Sequence, residues 1–345
     1  IVGPSGSQDQ VFLELAHQKA WVHVFDPETG ELLVEQIMAV IGPRALVKDA
    51  QAKSIESLCV TFRTHMSNAE VAHLACIALA EAAKQAGALQ EMTQTGAGGA
   101  VVLSMKTYPN DKDLQHSGLA AIMHMAALDE NCRRFVDDGV AHVLKTVLTQ
   151  FPEDAEIAYP ALGAIMNLSH KAEAQDGLTV LCEDVLSTTK RHLDMEKIQH
   201  FGWGSMAYLA HRHAVNQESL GLAGACVDVV TALRKHEESE AITEVCCMAI
   251  MNMARSHAGN QKRLSDAGAC EISLAAMERF QSKAMLLVRG AGVIMYLSYN
   301  NVDNGIILGE SGACDTIVKT LNNSLANTEI SPSNLDQITH FCFGS

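Results

Sequence analysis

The sequence predicts an all-α solenoid built from short helical repeats, and three observations carry that prediction. One six-residue pattern returns with little change, as AIMNLS at 164–169 and AIMNMA at 249–254. A fixed pattern of Asn, apolar residue and Gly follows most copies. The composition, with 5% aromatic residues and only 7 Pro among 345 residues, suits helices that pack through small side chains. A single repeat cannot bury its own apolar face, so stacked neighbours are expected to share one continuous core.

The hexapeptide recurs at nearly constant intervals along the chain. Its six copies start at Ala78, Ala121, Ala164, Ser205, Ala249 and Val293. The steps between them are 43, 43, 41, 44 and 44 residues. A period in this range indicates a repeat architecture in which each repeat is one supersecondary unit. We assign the hexapeptide to the third of three helices in each unit.

The residues after each hexapeptide predict the first two helices. Four copies continue with Asn, an apolar residue four positions later and Gly eight positions later. These are Asn131/Phe135/Gly139, Asn216/Leu220/Gly224, Asn260/Leu264/Gly268 and Asn304/Leu308/Gly312. We expect the Asn to cap a short first helix and the Gly to end it in a left-handed conformation. The copy after Ala164 has Ala174, Leu178 and Cys182 instead, which predicts a differently shaped first helix there.

The two ends of the chain are less regular than its middle. Residues 1–47 are assigned to an N-terminal cap or degenerate repeat, and residues 48–345 to the repeat domain, with the last repeat incomplete. In the stretch 21–36, apolar and polar residues alternate on both sides of a turn, which fits a hairpin. Its spacing also fits a degenerate repeat, and the helical pattern of residues 10–21 favours that second interpretation. The first residue is Ile1 rather than Met, as expected for a piece of a longer protein.

Three helices in roughly 42 to 44 residues, with Gly between the first and second, resemble the armadillo repeat. The resemblance is to the variety with YP or FP before the third helix, and it extends over about residues 48–345. It implies a right-handed superhelical solenoid of about seven three-helix repeats. It also implies that the third helices line a concave groove.

The fourth residue of each hexapeptide, here called the ladder residue, is the first candidate for binding. In armadillo proteins that bind extended peptides it is an Asn whose amide pairs with the ligand backbone. The ladder residues of this chain are Glu81, His124, Asn167, Tyr208, Asn252 and Tyr296. The row one turn earlier, which carries Trp in nuclear-import receptors, reads Ile77, Ala120, Gly163, Gly204, Met248 and Gly292. The resemblance therefore does not extend to those receptors, and the small residues either allow close packing or admit a ligand to the backbone.

Basic residues follow the ladder three or four positions later, at Lys84, Lys171, Arg212 and Arg255. Residues at this spacing share a helix face, so equivalent helices placed side by side would form a basic stripe. Such a stripe would bind acidic or phosphorylated segments mainly through charge. The alternative is that these cations merely complement the negative ends of the helix dipoles.

Composition excludes several other classes of protein. The net charge of −15 is opposite to that of a general nucleic-acid binder, although it also fits merely solvated helix faces. No apolar run approaches the roughly 20 residues of a membrane span. The ten cysteines include three in GAC at intervals of 44, Cys226, Cys270 and Cys314, and are expected to be small buried hydrophobes in a reducing compartment. No catalytic, metal or cofactor constellation is present in the sequence.

The sequence thus predicts a non-enzymatic scaffold that binds protein or peptide segments in its groove, without a cofactor. The expected location is the cytoplasm, with the nucleus or the cytoskeleton as alternatives. One rival hypothesis is a regulatory domain that senses an anionic metabolite for an attached catalytic domain. The other is a chaperone or cytoskeletal adaptor that uses the same groove.

Overall fold

The computed structural model describes residues 2–4, 11–14, 21–23, 42–327 and 330–343. From residue 42 onward the described secondary structure is helical, as predicted. The helices are α1 (Pro43–Lys53), α2 (Ile55–Thr64), α3 (Ala69–Ala82), α4 (Ala88–Thr95), α5 (Ala97–Thr107), α6 (Lys112–Met125), α7 (Asp129–Asp137), α8 (Val140–Gln150), α9 (Ala155–Ser169), α10 (Ala172–Leu178), α11 (Cys182–Arg191), α12 (Glu196–Leu209), α13 (Ala214–Ala223), α14 (Ala225–Lys235), α15 (Glu240–Ala254), α16 (Ala258–Ala267), α17 (Ala269–Arg279), α18 (Ala284–Ser298), α19 (Val302–Glu310), α20 (Ala313–Ala326) and α21 (Pro332–Phe343).

The helices of the described segments fall into seven successive groups of three, which confirms the predicted repeat. All six hexapeptides lie on third helices, namely α3, α6, α9, α12, α15 and α18, and the ladder residue is the thirteenth of each. The repeat after Ala164 has the predicted irregular start, because α10 has only 7 residues and runs into a 3-10 turn at Thr179–Leu181. The all-α repeat fold is therefore present.

The chain divides into two compact units, residues 1–125 and 126–345. In the first unit the third helix α3 packs against α6. In the second unit the third helices pack in chain order, α9 on α12, then α15, α18 and α21. This order places successive ladder positions of the second unit next to one another.

The Gly prediction is confirmed at all four positions. Gly139, Gly224, Gly268 and Gly312 have φ of 79°, 99°, 92° and 85°. These angles lie in the left-handed region, where a side chain is strained and Gly is not. Each of these glycines separates a first helix from the second helix that follows it.

The predicted role of the Asn as a helix cap was wrong. The capping residue lies three positions earlier: His213 accepts a hydrogen bond from the backbone N–H of Asn216, and His257 from that of Asn260. The Asn itself is buried, and its amide donates to a carbonyl at the end of the preceding third helix, as Asn216 Nδ2 does to Leu209 O at 2.8 Å. A buried amide needs such partners, and a helix-end carbonyl supplies one.

The N-terminal segment also differs from the sequence prediction where it is described. Strands β1 (Val2–Pro4), β2 (Val11–Glu14) and β3 (Trp21–His23) form an antiparallel sheet in that order, with Gly3 opposite Phe12 and Leu13 opposite Val22. The helix expected over residues 10–21 is therefore wrong at β2, where Val and Phe favour a strand paired on both sides. Residues 24–41 lie outside the described residues, so the hairpin predicted over residues 21–36 and the assignment of 1–47 stay predictions.

The cysteine prediction holds for two of the three GAC positions. Cys226 and Cys270 are buried near the start of their second helices, whereas Cys314 is exposed. Cys314 belongs to the last of the seven groups of helices. All ten cysteines are free thiols.

Candidate functional site

The candidate site is the surface formed by the C-terminal ends of third helices in the second unit. We call it the ladder strip, defined as four ladder residues and the residue three positions after each. Its members are Asn167, His170, Tyr208, His211, Asn252, Arg255, Tyr296 and Tyr299. The two positions face the same side of a helix.

Three of the four residues that lie three positions after a ladder residue contact the next ladder residue. The rings of His170 and Tyr208 meet edge to face with centroids 4.9 Å apart. His211 Nδ1 lies 3.3 Å from Asn252 Oδ1, which accepts a hydrogen bond from it. The Arg255 guanidinium lies 5.3 Å from the centroid of the Tyr296 ring, a cation–π distance. These contacts link four consecutive third helices, α9, α12, α15 and α18.

A row of buried glutamines, which the sequence analysis missed, fixes the backbone of the ladder strip. The Nε2 groups of Gln175, Gln217 and Gln261 donate to the ladder carbonyls of Tyr208, Asn252 and Tyr296 at 2.9, 2.8 and 2.8 Å. Each donor lies on the first helix of the same repeat. The sequence feature that could have revealed this row is the repeated dipeptide Asn-Gln at 216–217 and 260–261.

Asn252 does not present the free side-chain amide that the resemblance to peptide-binding armadillo proteins implies. Its side chain is buried, with 3% of the residue exposed. Its Nδ2 donates to Ala207 O at 2.8 Å, and its Oδ1 accepts from His211. Asn167 is half-buried. The Asn252 amide therefore holds α12 and α15 together.

The tyrosines offer the polar atoms that Asn252 does not. Tyr208 and Tyr296 are half-buried, and their hydroxyls make no hydrogen bond with the described residues. Tyr296 also meets the Phe341 ring edge to face, with centroids 6.2 Å apart. A half-buried Tyr supplies an apolar ring face and a solvent-accessible hydroxyl, and this combination is enriched at binding surfaces.

The predicted basic residues occupy two rows and have different surroundings. Lys171 pairs with Asp129 at 2.7 Å, and this hydrogen bond raises the pKa of Lys171. Arg212 is exposed, has a left-handed φ of 56°, and its guanidinium makes no ion pair with the described residues. Arg255 lies one row away, against Tyr296. Arg212 and Arg255 are thus the cations that remain for a ligand.

No carboxylate lies among these positions. The four segments from each ladder residue to the fourth residue after it, 167–171, 208–212, 252–256 and 296–300, contain no Asp or Glu. The whole chain has 40 acidic residues and a net charge of −15. The ladder strip, with the adjoining Lys171 and Arg212, therefore carries positive charge on an acidic protein, although Asp129 pairs with Lys171.

The first unit has a different ladder. Glu81 pairs with Lys84 on the same helix at 2.7 Å, and both side chains are exposed. Partial burial, together with the charge of Lys84, lowers the pKa of His124. This part of the ladder is therefore close to neutral, unlike the strip on the second unit.

The small residues one turn before the ladder are explained by packing at two positions. A Cβ at Gly204 would lie 2.6 Å from Met166 Sδ, and one at Gly292 would lie 2.5 Å from Met251 Sδ. In both cases the methionine belongs to the hexapeptide of the neighbouring third helix and fills the space beside the glycine. The glycines allow that close approach and do not expose bare backbone.

Comparisons with known proteins agree with this fold. The chain is similar to one from a structure of the interaction between cadherin and beta-catenin, with 18% identity, 88% of this chain and 63% of that chain covered, and a TM-score of 0.73. It is similar to computationally designed armadillo repeat proteins for modular peptide recognition, with 21% identity, 70% and 99% covered, and a TM-score of 0.57.

A designed armadillo repeat protein in complex with the peptide (KR)4 is a third similar structure, with 20% identity, 66% and 93% covered, and a TM-score of 0.54. At these identities the likeness shows the fold, an armadillo-repeat solenoid. No family model matches the sequence, and no curated protein matches it. Among the helices described, none combines the length and apolar character needed to cross a membrane.

Proposed function

We propose that the protein is a non-enzymatic interaction scaffold whose ladder strip binds an extended acidic segment of a partner protein. The observation that carries this proposal is that the ladder strip and its adjoining residue Arg212 hold two cations without an ion pair among the described residues and no Asp or Glu, on an otherwise acidic chain. Structurally similar proteins include designs made for peptide recognition, which supports a binding role for this fold. Ten free thiols, eight of them buried, support a cytoplasmic setting.

The chemistry of the strip suits acidic side chains or phosphate groups. Arg212 adjoins the strip, one position after His211, and its guanidinium is free to form a bidentate pair with a carboxylate or phosphate. Arg255 can keep its contact with Tyr296 and still direct N–H groups outward. The hydroxyls of Tyr208 and Tyr296 can donate to backbone carbonyls of the bound segment.

The test is fluorescence anisotropy with labelled peptides that are acidic, phosphoserine-containing, neutral or basic. We expect the acidic or phosphorylated peptides to bind, and the double variant Arg212→Asn/Arg255→Gln to weaken that binding about tenfold or more, because charged contacts at binding hot spots have that size. Asn is chosen at 212 because it tolerates a left-handed φ and occupies the equivalent left-handed position 300.

The matched control is Lys190→Gln/Lys262→Gln. It also removes two positive charges, but from exposed positions outside the third helices. The proposal fails if the control weakens binding as much as the double variant, or if only basic peptides bind. If small phosphorylated metabolites raise Tm while no peptide binds, the metabolite-sensor hypothesis replaces it.

A further inference from the structure

Two turns of the second unit cap a helix with histidine, where Ser, Thr, Asp or Asn is the usual residue. His213 stands before α13, and His257 stands before α16. Their Nδ1 atoms accept hydrogen bonds from the backbone N–H groups of Asn216 and Asn260, both at 3.2 Å. A ring nitrogen accepts a hydrogen bond only when it carries no proton, so each cap requires the neutral imidazole.

The second nitrogen of each ring contacts a carboxylate of the preceding repeat. His213 Nε2 lies 2.8 Å from Asp176 on α10, and His257 Nε2 lies 2.8 Å from Glu218 on α13. Because Nδ1 accepts, Nε2 carries the proton and donates it to the carboxylate. The rings are mostly covered, with 15% and 16% of the two side chains exposed. Each ring thus ties the start of one first helix to the first helix before it.

The residue directly before each of these histidines is in a left-handed conformation. Arg212 has φ of 56° and Ser256 has φ of 54°, which are unfavourable values for Arg and Ser. Such conformations persist only where the surrounding structure fixes them. The equivalent turn before α19 differs in both respects. Asn300, with φ of 52°, is a residue type that tolerates this region, and the cap is Asn301, which accepts from Asn304 N and does not titrate.

Protonation of the ring removes the cap. Histidine changes charge between about pH 5 and 8, and the charged ring donates from both nitrogens. The backbone N–H of Asn216 or Asn260 then has no acceptor in the cap. The new positive charge also lies at the N-terminal end of a helix, where the helix dipole disfavours a cation. The stabilisation from the cap is therefore present while the ring is neutral and is lost as the pH falls.

The charged groups around the two rings do not reverse this effect. Before α13, Asp176 is 92% exposed, so water screens its attraction for a protonated ring, and Arg212 adds a like charge in the same turn. Before α16, Glu218 is already paired with Arg263 at 3.6 Å. Among the described residues, no other charged side chain forms an ion pair with either ring.

We propose that His213 and His257 are an acid-sensitive latch, which releases the starts of α13 and α16 when the rings are protonated. The strained residue beside each cap is then no longer held, so the turns after α12 and α15 open locally. These two helices carry the ladder residues Tyr208 and Asn252 at their C-terminal ends. The proposal does not depend on the ladder strip binding a ligand, since it concerns the joints between repeats.

The test is amide hydrogen exchange followed by NMR at about pH 7.5 and about pH 5.5, on either side of the ordinary histidine titration. Each rate is divided by that of an unstructured amide at the same pH. We expect the Asn216 and Asn260 amides to lose about fivefold in protection at the lower pH, which corresponds to a lost cap of about 1 kcal/mol. The Asn304 amide, capped by Asn301, should keep its protection and serves as the comparison within the same molecule.

The variant His213→Asn/His257→Asn keeps a cap that does not titrate, so its Asn216 and Asn260 amides should be equally protected at both pH values. The matched control is His116→Gln/His142→Gln, which removes two exposed imidazoles from inside α6 and α8 and should respond to acid like wild type. Circular dichroism at the lower pH checks that all three proteins stay folded.

The proposal is overturned if the Asn304 amide loses as much protection as the other two, because acid would then loosen the whole unit. It is also overturned if the double Asn variant responds to acid like wild type. Should that variant not fold, the imidazole nitrogen chemical shifts of wild type decide. We expect both rings to carry the proton on Nε2 at the higher pH and on both nitrogens at the lower pH. A proton on Nδ1 at the higher pH, or a neutral ring at the lower pH, would exclude the latch.

Discussion

Gln217 shows how one buried side chain fixes the end of a third helix. The last carbonyls of a helix have no partner within the helix. The Nε2 group of Gln217 donates to Asn252 O on α15 at 2.8 Å and to the O of Arg255, the residue that caps α15, at 3.3 Å. Because Arg255 contacts Tyr296, this one amide also sets the position of a ladder-strip cation.

We therefore expect Gln217→Met to destabilise the second unit by about 1–3 kcal/mol, the usual cost of leaving a buried polar group unsatisfied. Methionine has a similar length, so little space is left empty. The measurement is urea unfolding, with hydrogen exchange at the C-terminal end of α15 to localise the effect. Gln281→Met, at an exposed position on the α17–α18 turn, is the control and should change stability by less than about 0.5 kcal/mol. Equal effects of the two variants would contradict the role given to Gln217.

At the scale of an element, the first helices depend on a cap that comes from the preceding turn. His257 Nδ1 accepts from the N–H of Asn260, while its Nε2 lies 2.8 Å from Glu218 on the first helix of the preceding repeat. In the next repeat Asn301 takes the same place and accepts from Asn304 N. One side chain thus both starts a helix and joins two repeats.

The variant His257→Ala is expected to cost about 1 kcal/mol, the typical value of a lost N-cap. His257→Asn should recover most of that loss, because Asn caps the equivalent helix α19. Thermal or urea unfolding of the two variants beside wild type provides the measurement. If the Asn variant is no more stable than the Ala variant, the contact with Glu218 and not the cap carries the effect.

Two helix glycines are expected to respond oppositely to substitution by Ala. A Cβ at Gly202 on α12 would lie 2.7 Å from Thr189 Cγ2 and 2.9 Å from Thr189 Cβ. Thr189 is fully buried and bonded to Val185 O, so it cannot move aside, and Gly202→Ala should destabilise by about 1–3 kcal/mol.

Gly309 on α19 faces open space, so Gly309→Ala should stabilise by about 0.4–1 kcal/mol. Denaturant midpoints of the two variants and wild type test both signs. A stabilising Gly202→Ala would mean that α11 and α12 separate more easily than their packing indicates.

The sequence predicted elements better than it predicted contacts between repeats. The period and the left-handed Gly268 are local properties, so the repeat boundaries could be read directly. Asn260 was recognised as a repeated residue, but its partners are Gln217 O, 43 residues away, and Met253 O. The bond between Asn252 and Ala207 likewise spans 45 residues. A one-dimensional pattern shows that a residue recurs, not which residue of another repeat it meets.

At the scale of the molecule, the ladder strip differs in charge from the chain that carries it. It lies on third helices and has no Asp or Glu of its own, whereas the chain as a whole has a net charge of −15. The acidic excess of the chain then favours basic partners everywhere except on the ladder strip.

The thiols provide a test of how far the whole array stays closed in solution. Cys314 is exposed, Cys342 is half-buried, and the other eight cysteines are buried. Burial raises the pKa of Cys342 to about 11, and that of Cys246 well above its usual value. Because the thiolate is the reacting form, near pH 7 we expect one fast thiol, one slower thiol and eight that react only through opening of the repeats.

The measurement is a time course with an aromatic disulfide reagent, with Cys314→Ser and Cys342→Ser identifying the first two phases. Raising the pH should accelerate Cys342, since more of it becomes thiolate, while denaturant should be needed for the buried eight. Three or more fast thiols in wild type would show that at least one repeat opens readily, and would contradict the closed stack.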